Sequence, residues 1–198
     1  KVNGRVATLG DKVDPIRDKI VVSGKRVVRN KTKMYVMLHK PRGFVTTMSD
    51  ELGRRCVKEL VEDAPERVYP IGRLDKDSEG LLLMTSDGDI VNRILRAAGR
   101  HEKEYQVTVD KPITADFIAK MGEGVPILDT VTRKCKVEQI GKYKFRIILT
   151  QGLNRQIRRM CEYFGYKVTK LERIRVMNIE LGNLKPGEYR KVSEEEIE

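Results

Sequence analysis

Apolar positions along this chain recur in two periods, and the switches between them mark out the elements. MYVML at 34–38 and LLLM at 81–84 are unbroken apolar runs, long enough for buried strands and too short for independent helices. RVYPIG at 67–72 reads as the strand that delivers the chain into GRLD, and 56–63 as a short helix with Val57, Leu60 and Val61 inward, stopped before Pro65. Strict alternation over 103–109 puts Tyr105, Val107 and Val109 on one strand face and Glu104, Gln106 and Thr108 on the other. Helical spacing marks three more elements. Ser86 or Asp87 opens a helix with Ile90, Val91, Ile94 and Leu95 on one face, Thr114 caps another over TADFIAKM, and Asn154 caps a third. In that third helix Ile157, Met160, Cys161 and Phe164 form an i, i+3, i+4, i+7 stripe that Gly165 ends.

Residues 131–139 and 143–150 read as a hairpin whose second strand turns Phe145, Ile147 and Leu149 inward, while Arg133, Lys134 and Lys136 stud the first. Further strands are expected at 166–181 and 188–192, followed by an acidic tail, SEEEIE. Residues 1–27 hold an Asn3-Gly4 turn and a strand, KIVVSGKRV, ending at Gly24, and a basic connector spans 26–33.

Charge sharpens this picture. Forty Lys and Arg against 29 Asp and Glu give a net charge of +11, which points to a polyanionic partner, nucleic acid first and an anionic membrane surface second. The excess is uneven: residues 133–175 carry 13 basic side chains and 3 acidic ones. No apolar run approaches the length of a membrane span, and the opening KVNGRV has no signal-peptide core. The three cysteines, Cys56, Cys135 and Cys161, are widely spaced with no C-x-x-C pair, as expected of free thiols in a reducing cytoplasm. Walker and Rossmann glycine patterns are missing.

Candidate chemistry centres on GRLDKDSEGLLLMT at 72–85, where an acidic turn around Asp75 abuts the buried strand. Asp75, Asp77, Ser78 and Gly80 are also ordinary turn formers. A calcium loop fits Asp75, Asp77, Glu79 and Gly80 but fails where its bidentate glutamate should stand, since Ser86 occupies that place. No metal site is expected. Arg155 and Arg159, four residues apart on one helix, repel each other by about 0.2–0.5 kcal/mol unless an anion lies nearby. The turn Lys40-Pro41-Arg42 either touches phosphate or is solvated.

GRLDKDSEGLLLMT, KEY at 103–105 and LTQGLNRQIRRM at 149–160 resemble, in this order and spacing, the three motifs of RNA pseudouridine synthases, in particular the RsuA and RluB/E/F branch. GLNRQIRRM with LERIRVMN at 171–178 is most similar to the RluF type. Many relatives carry histidine and glutamine before the pairing cation, where this chain has Asn154 and Arg155 before Gln156. VNGRVATLGDKV followed by DKIVVSGK resembles the tail of the S-four-type RNA-binding domain, so 1–30 is expected to be the C-terminal remnant of such a domain and 31–198 the catalytic domain.

The resemblance implies an α+β fold, with a mainly antiparallel mixed sheet flanked by short helices around a central RNA-binding cleft. It makes Asp75 the essential carboxylate, Tyr105 the aromatic that stacks on the target base, and Arg158 the cation that pairs with Asp75. Arg73 and Lys103 would contact the RNA backbone or brace the site, and Arg155, Arg159, Lys40 and Arg42 would add phosphate contacts. Uridine-to-pseudouridine isomerisation in ribosomal RNA, expected in the large subunit, follows, without cofactor or metal and by a monomer in the cytoplasm; tRNA stays open as a second substrate. The alternative is a catalytically silent ribosome-assembly factor using the same basic surface, which would have no need of Asp75, Tyr105 and Arg158 in register.

Overall fold

The computed structural model describes residues 1–13, 18–27 and 33–197, and divides the chain into units at Lys1–Lys33 and Met34–Glu198. In the first unit, β1 (Ile20–Val22) and β2 (Lys25–Val27) pair antiparallel. The expected single strand through this region is thus a hairpin. Ser23 and Gly24, both at positive φ, supply the two-residue turn, as Asn3 and Gly4 do between Val2 and Arg5. Most of the basic connector, and the expected domain boundary within it, lies outside the described residues.

The second unit runs β3 (Tyr35–Lys40), β4 (Tyr69–Ile71), β5 (Glu79–Thr85), α1 (Val91–Ala98), β6 (Lys103–Val109) and α2 (Ala115–Glu123). It continues through β7 (Pro126–Ile127), β8 (Thr130–Val131), β9 (Lys136–Gln139), β10 (Lys144–Leu149), α3 (Gln156–Tyr163), β11 (Val168–Val176), β12 (Ile179–Glu180), β13 (Tyr189–Val192) and α4 (Glu194–Ile197). Nine of these strands form one mixed sheet, with the path β13-β3-β5-β11-β6-β10-β9 and with β4 on β5 and β12 on β11. Every pairing in it is antiparallel except β5 with β11, where the sheet changes direction. The α+β expectation and its mainly antiparallel sheet hold.

Strands at the middle of this sheet are covered on both faces, which is why MYVML and LLLM show no alternation. Val36 and Leu38 pack with Leu82 and Met84 in one apolar cluster, while Met37 packs with Leu81 and Leu83 in another that also takes Ile90 and Ile94. Full burial of each such side chain is worth about 1.5–3 kcal/mol. A third cluster joins Val107 and Val109 to Phe145, Ile147, Leu149, Phe117, Ile157 and Met160, so the alternating strands and the α3 stripe meet as their spacing predicts.

Gly80 makes the parallel seam possible. Its φ is +110°, and a Cβ there would lie 2.2 Å from the Arg173 carbonyl oxygen, so only glycine lets β5 and β11 approach this closely.

Three local expectations change. The first strand of the hairpin begins at Lys136, and Thr130–Val131 pairs instead with Pro126–Ile127 through Leu128 and Asp129, both at positive φ. Thr132 closes the base of that ribbon by exchanging hydrogen bonds with Val125, donating through its backbone N–H (3.0 Å) and accepting at its hydroxyl (2.8 Å). Leu95, expected inward, is exposed at 37%. The acidic tail forms α4, where Ser193 and Glu196 bond to each other's backbone N–H as a capping box. Among the described residues no helix is long and apolar enough to cross a membrane.

Candidate active site

In the loop entering β5 every backbone carbonyl from 74 to 78 is bonded. The buried Thr46 hydroxyl donates to the Leu74 carbonyl at 2.6 Å and accepts from the Leu74 N–H at 3.2 Å. The Asp75 carbonyl accepts from Ser78 N–H, and that of Lys76 from Gly43 N–H. The Asp77 carbonyl takes the Arg158 guanidinium at 3.0 Å, and the Ser78 carbonyl the Lys40 ammonium at 2.6 Å. Five consecutive carbonyls, 74 to 78, thus each have a donor from elsewhere in the fold or from the turn itself. Asp75 is carried on a rigid frame with its carboxylate 41% exposed.

Lys40 contradicts the expectation of a phosphate contact. It is 0% exposed, and its ammonium donates to the carbonyls of Pro41, Lys76 and Ser78. Burial lowers its pKa to about 8, partly offset by the nearby charges of Glu79, Asp77 and Asp75. It therefore braces the loop from inside. Arg42 stays exposed and donates to the Thr169 carbonyl at 3.0 Å.

The cations of α3 are distributed differently from the expected pairing. Arg158, 7% exposed, meets Asp77 at 3.4 Å and the Ser78 hydroxyl at 3.1 Å, and burial lowers its pKa. Arg155 is the guanidinium found beside Asp75, at 3.5 Å, while gripping Asp77 with two bonds of 3.0 and 2.9 Å. These bonds hold the Asp77 carboxyl below its usual range. The anion demanded by the Arg155–Arg159 repulsion is therefore internal for Arg155. Asp77, expected as a plain turn former, is the hub of the cluster.

The start of α3 explains the shift. Arg155, not Asn154, is the residue before the helix, in a left-handed conformation (φ 48°, ψ 38°). Asn154 instead accepts from Arg159 through its backbone and side-chain oxygens, both at 3.0 Å. The Gln156 side chain accepts the Leu153 N–H at 3.1 Å. The left-handed step turns Arg155 back over the loop, and Arg158 enters one turn later.

A cleft of about 450 Å³ opens beside this cluster, lined by Arg73, Asp75, Lys103, Tyr105, Arg155 and Arg173 among others. Arg158, Arg159, Lys40 and Arg42 do not line it. Tyr105 is half-buried and stands opposite Arg173 in the β6–β11 register. Lys103 is half-buried, its pKa lowered by burial first and by Arg173 second. Arg173, absent from the expected site, is 8% exposed and donates through Nε to the Leu81 carbonyl at 2.9 Å. Its signal was a cation two residues after Leu171 on a strand whose inward side is apolar. Burial pushes Cys135 up to about 11 and Cys161 up to about 12, so both are protonated at neutral pH and unfit as nucleophiles.

The family model for RNA pseudouridylate synthases matches residues 34–163, a span containing Asp75, Tyr105, Arg155 and Arg158. The dual-specificity RNA pseudouridine synthase RluF of Escherichia coli (strain K12) is 52% identical over 198 residues, covering 99% of this chain and 67% of that protein. The chain belongs to the RNA pseudouridylate synthase family. The synthase is also 35% identical over 204 residues to ribosomal large subunit pseudouridine synthase B of Bacillus subtilis (strain 168), covering 100% of this chain and 83% of that one. A crystal structure of a pseudouridylate synthase superimposes with a TM-score of 0.76 at 28% identity, covering all of this chain and 86% of the other. The RluF-type likeness read from the motifs is thus upheld, and the synthase is an RNA-modifying isomerase. Arg173 lies beyond the matched span.

Proposed function

We propose that this synthase isomerises uridine to pseudouridine in ribosomal RNA of the large subunit, with Asp75 as the essential carboxylate. The observation that carries the reading is the loop 74–78, in which every carbonyl is bonded and Asp75 alone turns a carboxylate into the cleft that Tyr105 also lines. Pseudouridine formation breaks the bond from the sugar C1′ to N1, turns the base while it is held, joins C1′ to C5, and exchanges the C5 proton for one gained at N1, so that no atom is lost overall. An oriented carboxylate serves as nucleophile at the sugar or as base toward a sugar proton. Tyr105 offers a flat face for the flipped base.

Arg155, 3.5 Å from Asp75, takes the pairing position expected of Arg158; Arg158 acts one step back, fixing Asp77 and Ser78. Arg73 and Lys103 at the cleft, with Arg42 and Arg159 outside it, contact the RNA backbone. The ribosomal substrate is supported by the name of the Bacillus relative, and the reading carries with it an enzyme of the cytoplasm. Residues 1–30 are taken as the end of an S-four-type RNA-binding domain. A silent assembly factor would not require the bonding of loop 74–78 around one exposed carboxylate.

Mapping pseudouridines in ribosomal and transfer RNA from cells with and without the gene tests the proposal. Loss of a large-subunit signal on deletion, restored by the gene, is expected. An unchanged ribosomal map refutes it, and loss confined to transfer RNA reassigns the substrate.

A further inference from the structure

We propose that His39, Glu79 and Glu172 form a binding site for a divalent cation of the zinc class, on the central sheet and outside the catalytic cleft. The three residues stand on neighbouring strands β3, β5 and β11. One ring nitrogen of His39 and one carboxylate oxygen from each glutamate lie within 4.8 Å of one another. None of the three lines the cleft.

The histidine argues most strongly for a ligand. It is 5% exposed, and its Nδ1 lies 2.7 Å from the Leu184 carbonyl oxygen. A carbonyl only accepts, so Nδ1 carries a proton and Nε2 is the ring nitrogen left to meet a ligand. Nε2 is buried with no hydrogen-bond partner among the described residues. A ring proton handed to a backbone carbonyl while the other nitrogen stays open is how metal-ligating histidines are oriented.

The glutamates add charge that calls for a cation. Glu79 and Glu172 are direct partners in the β5–β11 register, and like charges opposite each other on adjacent strands are destabilising. Lys170 reaches Glu172 only at 3.9 Å and is half exposed. Lys40 commits its ammonium to backbone carbonyls and acts on Glu79 only through space. One imidazole and two carboxylates suit Zn²⁺ with water in the fourth position. Both glutamates are half-buried, which leaves an entry path and the side-chain freedom to close on an ion. Sequence motifs could not disclose the site, because its ligands come singly from three distant segments. An ion here ties together β3, β5 and β11 where the Asp75 loop enters the sheet.

The test is equilibrium dialysis of metal-free full-length protein against Zn²⁺ at pH 7, with thermal unfolding and ¹⁵N spectra of the His39 ring in parallel. One equivalent per chain, a Zn²⁺-dependent rise in Tm and a shift of the His39 Nε2 resonance are expected. Glu172→Gln and Glu79→Gln, which keep the size of partly exposed side chains, are expected to weaken binding at least about tenfold, the loss that even an outer-shell change produces; they carry the test if His39→Gln does not fold. Absence of saturable binding overturns the proposal, as does binding unaffected by both glutamine variants. It is overturned equally by a His39 ring protonated on both nitrogens at pH 7 and unmoved by Zn²⁺, which would make the cluster an internal ion pair.

Discussion

Replacing Gly80 with alanine probes the seam on which the active-site loop depends. At φ +110° an L-residue is strained by about 1–3 kcal/mol. The new methyl would also sit 2.2 Å from the Arg173 carbonyl oxygen and 2.7 Å from its nitrogen, short of ordinary contact at 3.4 Å by about 1.2 Å for the nearer atom. Both neighbours are backbone, so relief requires β5 and β11 to part, which stretches the Glu172↔Glu79 and Arg173↔Gly80 pairs. Overpacking of this kind costs roughly 1–3 kcal/mol, and with the strain the total is about 2–6 kcal/mol, a large part of a typical 5–15 kcal/mol stability. Gly165→Ala is the control: φ is +79° but nothing lies within 4 Å of the added Cβ, so only about 1–2 kcal/mol of left-handed strain applies. Urea unfolding followed by circular dichroism measures both variants. A Gly80→Ala loss within about 1 kcal/mol of the Gly165→Ala loss would refute the close-approach argument.

Other outcomes follow from the charges. The Lys40 ammonium has a folded pKa of about 8, below its unfolded value near 10.4, so the unfolded chain holds more protons between these limits and stability should rise with pH across that window. The difference in unfolding free energy between wild type and Lys40→Met, measured from pH 7 to 10.5, should show this rise; a flat difference contradicts it. Asp77 has a depressed folded pKa, so its stabilisation is present above the unfolded carboxylate value near 3.9 and lost as pH falls through the folded one. Asp77→Asn should therefore destabilise at pH 7 and converge with wild type in acid, which acid-to-neutral unfolding curves check. Among the described residues Arg159 donates to neutral oxygens of Asn154 alone whereas Arg155 is neutralised by Asp77, so Arg159→Ala should lower the salt slope of RNA binding by about 1 and Arg155→Ala by less. Equal slopes for the two variants would count against this assignment.

What could be read from the sequence was what local periodicity encodes. The Leu81–Met84 run, the alternation from Tyr105 to Val109 and the Ile157, Met160, Cys161 stripe all lie where spacing put them, because each records a face meeting the core. Misreadings arose where a distant segment decides. Lys40 ends an apolar run and follows the histidine at 39, so only the three carbonyls arriving from 41, 76 and 78 reveal why it is buried. Asn154 has the side chain of a cap, yet Arg155 takes a left-handed conformation and the Gln156 side chain serves the Leu153 N–H instead. That step also put Arg155 beside Asp75 and sent Arg158 to Asp77. Arg173 was hidden in a strand whose neighbours are assembled from three segments, and no spacing rule joins it to Tyr105.

The proposed reaction depends on the Asp75 carboxylate, and Asp75→Asn is the decisive variant, since the amide keeps the shape of the side chain and removes the charge. Folded protein and RNA affinity should be retained, because the loop is held by backbone carbonyls that the change leaves in place. Pseudouridine formation in ribosomal RNA, read by carbodiimide modification and primer extension, should be abolished. Wild-type levels of pseudouridine from the purified variant would contradict the role given to Asp75.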